Sequence, residues 1–347
     1  MSSIQPSEFA AEAVVKEDSE ARPASSFWSY LGRKTGGASI SLVMVVLLGF
    51  FAFRVLPGDP VTSLTKGKQV TAAQLANLRE IYGLDEPLWT QFGLYLSNLV
   101  TGDLGTSYTF RAPVATLIAE RLYPTLLLTS VAAALSISLG LWVGQRSIAN
   151  RGGWFDRTST ALALTLWSVP TFWLGLLLLM VLGGGLQLFP LGGMVTAGAN
   201  HTGLAYIWDV ARHLALPVTT MVAVTYAQYM LVLRASLIDE MSADYLVTAR
   251  AKGLRDDLVR RRHAVPNALL PTVTLVFMHI GGLIGGAVTV ETVFSWPGLG
   301  YLTFQALTGP DLPLLQGTFV VFSVIVIIMN LAADLIYRAL DPRVRLS

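Results

Sequence analysis

Apolar runs without a charged residue cover 36–53, 125–144, 158–182, 214–233, 268–290 and 315–333. Each is near the ~20 residues a helix needs to cross the hydrocarbon core of a bilayer. The pattern predicts six membrane-spanning helices, which places both termini on one side. Between the fourth and fifth runs it inverts. Residues 236–267 carry Asp239, Glu240, Asp244, Asp256 and Asp257 together with Arg250, Lys252, Arg255, Arg260, Arg261 and Arg262, and Arg234 stands at the edge.

This polar stretch predicts two short helices about a glycine. Ser242 is placed to cap the first, and Gly253 suits the left-handed position that ends it. The second has Asp256 and Asp257 in its first turn and Arg260 to Arg262 in its last, the order that a helix macrodipole favours. Leu254 and Leu258 are four apart and share a face. Pro266 is expected to stop the element. The product is a helical elbow with a small apolar face and a basic rim.

Composition agrees with a membrane protein: 53% of residues are hydrophobic, 13% are charged, and the mean hydropathy is +0.57. That balance is far from a soluble domain. A net charge of +2 gives no field that would draw nucleic acid, so lipid is the expected solvent. There is no cysteine, which excludes disulfides and thiolate chemistry. His201, His213, His263 and His279 lack metal-ligand spacing. No phosphate-binding loop occurs, and no nucleophile, base and orienting acid stand out. The chain is therefore not read as an enzyme.

Arginines and lysines decide the expected orientation. Arg33, Lys34, Arg146, Arg151, Arg157, the polar stretch, Arg338, Arg343 and Arg345 all fall on one side of a six-span chain. The positive-inside rule makes that side the cytoplasm and puts both termini there. Residues 1–33 read as a disordered acidic tail, and 34–56 as the first span. Residues 57–121 read as an external insertion with helices starting near Thr71 and after Pro87, and a short one over 113–121. Residues 122–347 read as a five-span core that includes the 236–267 loop.

Within the spans, Pro170 is expected to kink the third helix, with Trp167, Thr171 and Phe172 beside the kink. Gly281 with Gly285, and Gly282 with Gly286, form small-xxx-small pairs, expected to serve close packing within the chain or against another subunit rather than a ligand. His279 precedes them, and a neighbouring hydroxyl is expected to satisfy it. Trp296-Pro297-Gly298 reads as an external turn folding back toward a pore mouth. Asn330 and Asp334, one turn apart, are expected to bond each other.

The strings DYLVTARAKGL (244–254) and RHAVPNALLP (262–271) resemble the cytoplasmic loop of ABC-importer permeases of the dipeptide/oligopeptide (peptide/nickel) type, B-type subunit. Of the general Glu-Ala-Ala pattern before the glycine only Ala249 matches; the narrower TARAKG form, at 248–253, matches the peptide subgroup. RVLPGDP (54–60), IYGLDEPLWTQFGLYL (81–96), GDLGTSY (102–108), ETVFSWPGLGYL (291–302) and LDPRVRL (340–346) resemble further landmarks, so the likeness runs from about Arg33 to Arg345.

The resemblance implies an all-α integral membrane protein with the six-helix type I importer permease (MetI-like) fold and an external helical insertion after the first span. It implies transport of short peptides by alternating access in a bacterial or archaeal cell (inner) membrane. ATP and Mg would be bound by two separate ABC ATPase subunits or domains, with no cofactor in this chain. A second homologous permease and an external substrate-binding protein would complete the assembly. Asp244, Ala249, Arg250, Lys252, Gly253, Leu254, Arg255 and Leu258 would couple to the ATPase. Trp167, Pro170, Thr171, Phe172, Glu291 and Trp296 are candidates for the translocation path. Nickel chelates, haem, glutathione or oligosaccharide are alternative cargoes. An ion-coupled secondary carrier and a membrane scaffold or sensor are different classes.

Overall fold

The computed structural model describes residues 27–55, 71, 85–309 and 311–340. The expected helix near Thr71, the acidic tail and the RVLPGDP and LDPRVRL strings lie wholly or largely outside them. The described residues are helical apart from turns and one isolated bridge, Thr106 to Pro113. The helices are α1 Phe27–Val55, α2 Leu88–Thr101, α3 Val114–Ala149, α4 Trp154–Ser168 and α5 Thr171–Leu178, which continues as a π-helix through Leu179–Gly185. Then come α6 Gly203–Glu240, α7 Asp244–Ala251, α8 Asp256–Val259, a π-turn Arg260–Ala264, α9 Val265–Val293, α10 Leu299–Thr308 and α11 Leu312–Leu340.

Among the described residues four helices, α1, α3, α6 and α11, are long and apolar enough to cross a membrane, and α4 and α5 together form a fifth, broken span. Helix α9 has 29 residues, about 43 Å at 1.5 Å per residue.

The third predicted span is broken rather than kinked. Helices α4 and α5 meet at 102°. A residue before proline is biased away from the helical region, and Val169 sits at φ −81, ψ 131. Pro170 then takes the N-cap of α5 with ψ 128. Other boundaries shift too. Helix α1 starts at Phe27, ahead of the expected 34. The short helix over 113–121 is the first part of α3, which runs on through Pro124.

The largest helix–helix contact joins α3 and α6. It exists because α3 presents small residues every fourth position. A Cβ on Gly140 would fall 2.7 Å from the Tyr226 carbonyl oxygen, and one on Gly144 would fall 3.0 Å from that of Met230. One turn earlier, Ser136 and Thr225 share a hydroxyl bond of 2.6 Å. This is the small-xxx-small approach of membrane helices, and the sequence pattern Ser136, Gly140, Gly144 carries it. The glycines on α9 have no such neighbour within this chain: among the described residues nothing lies within 4 Å of a Cβ on Gly282, Gly285 or Gly286.

The two terminal helices share one end. Lys34 on α1 bonds Asp334 on α11 at 2.8 Å. Asp334 is therefore spent on α1 rather than on Asn330. The start of α3, the end of α9 and the start of α11 meet at the opposite end, so α7 and α8 lie at the Lys34–Asp334 end. Phe50 and Phe51 of α1 form an aromatic cluster with Trp89, Phe92 and Tyr95, in edge-on, tilted and stacked contacts, that fastens α2.

Candidate functional site

The elbow is built on Gly253. Its φ of +80 is left-handed, as expected. Its amide donates to Arg250 O at 2.9 Å, and the Leu254 amide reaches Ala249 O at 3.4 Å. Those two bonds make the Schellman ending, in which the residue after the glycine also packs back on the helix. Leu254 and Ala249 both join a buried cluster with Leu233, Leu237, Leu246, Val259, Ala264 and Ala268. The first cap differs from the expectation: Ala243 is the N-cap of α7, and Ser242 Oγ donates back to Asp239 O at 2.6 Å. The second stop differs as well. Pro266 lies in the first turn of α9, directly after the π-turn, and α8 runs through that turn into α9 instead of stopping.

Leu246, Val259 and Ala264 are fully buried and hold the elbow onto α6 and α9. Leu254 is half-buried and packs against this cluster, and Leu258 is half-buried outside it. The exposed apolar residues of α7 are Tyr245 and Val247. They flank Asp244 and Thr248, both exposed. Tyr245 Oη donates to Glu240, and Asn267 Nδ2 bonds Tyr245 Oη at 2.8 Å and His263 O at 3.2 Å. That network ties the end of α6 to the start of α9. Burial and then the Glu240 carboxylate raise the Tyr245 hydroxyl above the usual phenol range, so it remains a donor. Arg250 pairs with Asp256 at 3.1 Å and Arg255 with Asp257 at 3.2 Å. Both pairs are exposed and hold little energy. Lys252 is exposed at the C-cap of α7.

A buried ion pair braces the same end. Arg234 Nε and Nη2 reach Asp156 Oδ1 and Oδ2 at 2.7 and 2.8 Å, and the Gly152 amide donates to Oδ2 at 2.9 Å. This planar fork fixes the turn between α3 and α4 against α6. Arg234 and Asp156 lie 78 residues apart, and no local pattern announces the pairing.

At the opposite end, Glu291 and Trp296 have structural positions. Both are fully buried. Glu291 accepts from Thr125 Oγ1 at 2.7 Å and from the Gly300 and Tyr301 amides at 2.7 and 3.1 Å. The Leu299 amide donates to Thr125 Oγ1 at 2.8 Å. The leading amides of α10 are thus satisfied by one carboxylate and one hydroxyl, the arrangement a helix N-terminus favours. Trp296 Nε1 donates to Pro124 O at 2.9 Å. Gly300 is required here, since a Cβ would fall 2.5 Å from Val288 Cα. The GDLGTSY string has a parallel role. Asp311 accepts from Ser107 Oγ at 2.6 Å and the Thr109 amide at 2.9 Å, fastening the 103–113 loop to the start of α11.

The remaining path candidates border two hollows. Pro170 and Phe172 line one between α4 and α5 with Leu164, Thr165, Ser168, Val169 and Trp173. Thr171 lines another with Gln228 and His279, between α5, α6 and α9. Trp167 is half exposed and lines neither.

Residues 136–346 match the profile of the binding-protein-dependent transport system inner membrane component, and 27–129 match the profile of the N-terminal part of such membrane components. The glutathione transport system permease protein GsiC of Pectobacterium atrosepticum is 38% identical over 317 residues, covering 91% of this chain and 99% of that protein. GsiC of Escherichia coli K12 is 37% identical over the same shares. Among solved structures, the inward-facing MetNI methionine ABC transporter aligns at a TM-score of 0.50 with 21% identity, over 65% of this chain and 96% of that one.

Proposed function

The chain belongs to the binding-protein-dependent transport system inner membrane components, the permeases of ABC importers, and from that premise we propose that it carries short peptides, glutathione among them, into the cell. Its curated relatives are named for glutathione transport, and glutathione is itself a tripeptide. ATP and Mg belong to the two partner ATPases, and a second permease completes the pathway. An external binding protein delivers the cargo. The six crossings are α1, α3, α4 with α5, α6, α9 and α11. The Lys34–Asp334 end, with both termini and the elbow, faces the cytoplasm.

One observation carries the mechanism: the elbow is exposed on one side and rigidly rooted on the other. Its exposed face presents Asp244, Tyr245, Val247 and Thr248. Its buried face is continuous with α6 and α9 through Leu246, Val259 and the Tyr245–Asn267 network. A push on α7 by a closing ATPase therefore moves both helices as a body. That is the rigid-body switch alternating access requires. Helix α9 passes through the π-turn at Arg260–Ala264, and α6 is gripped by Asp156.

The test is reconstitution. The chain is purified from its native membrane with whatever accompanies it, then placed in vesicles with an external binding protein of the same organism. An ATPase pair and a second permease are expected to co-purify, and ATP should drive accumulation of labelled glutathione or a tripeptide. Uptake driven by a proton or sodium gradient, with no ATPase bound, would establish the ion-coupled carrier instead.

A further inference from the structure

We propose that the hollow between α5, α6 and α9 is a contact site on the translocation path, where His279, Gln228 and Thr171 take the carboxylate and amide groups of a passing peptide. The proposal rests on the importer reading above and names where in this chain the cargo is touched.

The hollow has a volume of about 290 Å³, near the lower bound of small-molecule pockets. Its polar lining includes two half-buried side chains, His279 and Gln228. The ring of His279 leans on Tyr229, with centroids 6.3 Å apart, and makes no hydrogen bond among the described residues. Gln228 likewise has no hydrogen-bond partner there. Thr225 beside them is already committed, to Ser136 at 2.6 Å and to Met221 O at 2.8 Å. An imidazole and a primary amide set into spanning helices are costly against lipid. They are held where a polar visitor can reach them. Together they offer a donor and an acceptor for amides, and donors for a carboxylate.

Two further features fit the same ligand. Thr171 is the first residue of α5, whose leading amides have no side-chain cap. The break at Pro170 thus brings the positive end of a half-helix to the hollow's wall, which suits an anionic group. On α9, Gly282 and Gly286 line the hollow, and a Cβ on either would meet nothing within 4 Å. Within this chain these glycines leave room at the hollow's wall. Met221 and Met278 complete the wall with flexible thioethers that accept varied side chains.

The test uses the complete reconstituted complex with tri-alanine and glutathione as probes. His279→Ala, Gln228→Leu and Gly282→Leu are compared with wild type for uptake, co-purification of the ATPases and binding-protein-stimulated ATP hydrolysis. Uptake should fall tenfold or more in each, with assembly and stimulated hydrolysis retained, and His279→Gln should recover part of the loss. Wild-type uptake with unchanged concentration dependence in the His279→Ala, Gln228→Leu double variant would overturn the hollow and leave the importer reading standing. Loss of the second permease from all three variants would also overturn it, making the hollow a seat for that subunit. A wild-type complex that moves neither probe would overturn the peptide reading itself.

Discussion

Glu291 shows how much a single residue decides here. It is an acid near the end of a spanning helix, and it organises the start of α10. Its carboxylate holds the Gly300 and Tyr301 amides and the Thr125 hydroxyl, all within 3.1 Å. Glu291→Leu leaves those buried donors without an acceptor, at roughly 1–3 kcal/mol for each orphaned group. Glu291→Gln keeps an oxygen for both amides and is expected to be much milder. Thermal unfolding of the detergent-purified chain separates the two. Transport per folded molecule should stay near wild type in Glu291→Gln; a large loss there, with stability intact, would return Glu291 to the path. Gly253 decides the elbow in the same local way. Its Cβ space is open, so the demand for glycine comes from φ alone.

At the scale of the element, α7 divides its residues between root and contact. Leu246 is fully buried, whereas Val247 is 59% exposed. Truncating Leu246 to alanine is expected to cost ~2–5 kcal/mol of stability through the cavity it opens. Val247→Asp should change stability by less than ~0.5 kcal/mol yet strip the ATPase from the complex, because a carboxylate would be buried in the joint. Unfolding and co-purification, measured on both variants, test the split. If Val247→Asp retains full ATPase recruitment and coupled hydrolysis, the exposed face of α7 is not the coupling contact. The α4–α5 element makes a related point. A proline at the centre of an apolar run ended one helix and started another at 102°, with Val169 in the extended region that the residue before a proline favours.

The whole molecule is a set of spans tied at two ends. One end is held by Lys34–Asp334 and Arg234–Asp156, the other by Glu291, Trp296 and Asp311. The orientation follows if the first end is cytoplasmic, and the chain is convenient for testing it, having no cysteine of its own. A single cysteine at Arg255, whose side chain is 80% exposed, should resist a membrane-impermeant maleimide in intact cells and label after lysis. One at Ser97, exposed on α2, should label in intact cells. The opposite result would invert the molecule and place the elbow outside.

The primary structure alone determined the membrane class, the apolar runs, the inverted polar stretch and the glycine that turns it. Those features are local: hydropathy is summed over a window, and a left-handed residue is set by its own side chain. The family landmarks were legible for the same reason, as contiguous strings. What they do was decided only by tertiary structure, because their partners are distant in sequence. Thr125 meets Glu291 across 166 residues and Ser107 meets Asp311 across 204. Within this chain the close helix approach fell to Gly140 and Gly144 rather than to the denser glycine pairs of α9, because closeness needs a neighbour, and spacing alone does not supply one. Leu254 packs against the buried cluster and Val247 faces outward for the same reason: four-residue periodicity defines a face, and only the packing of α6 and α9 decides which face is covered.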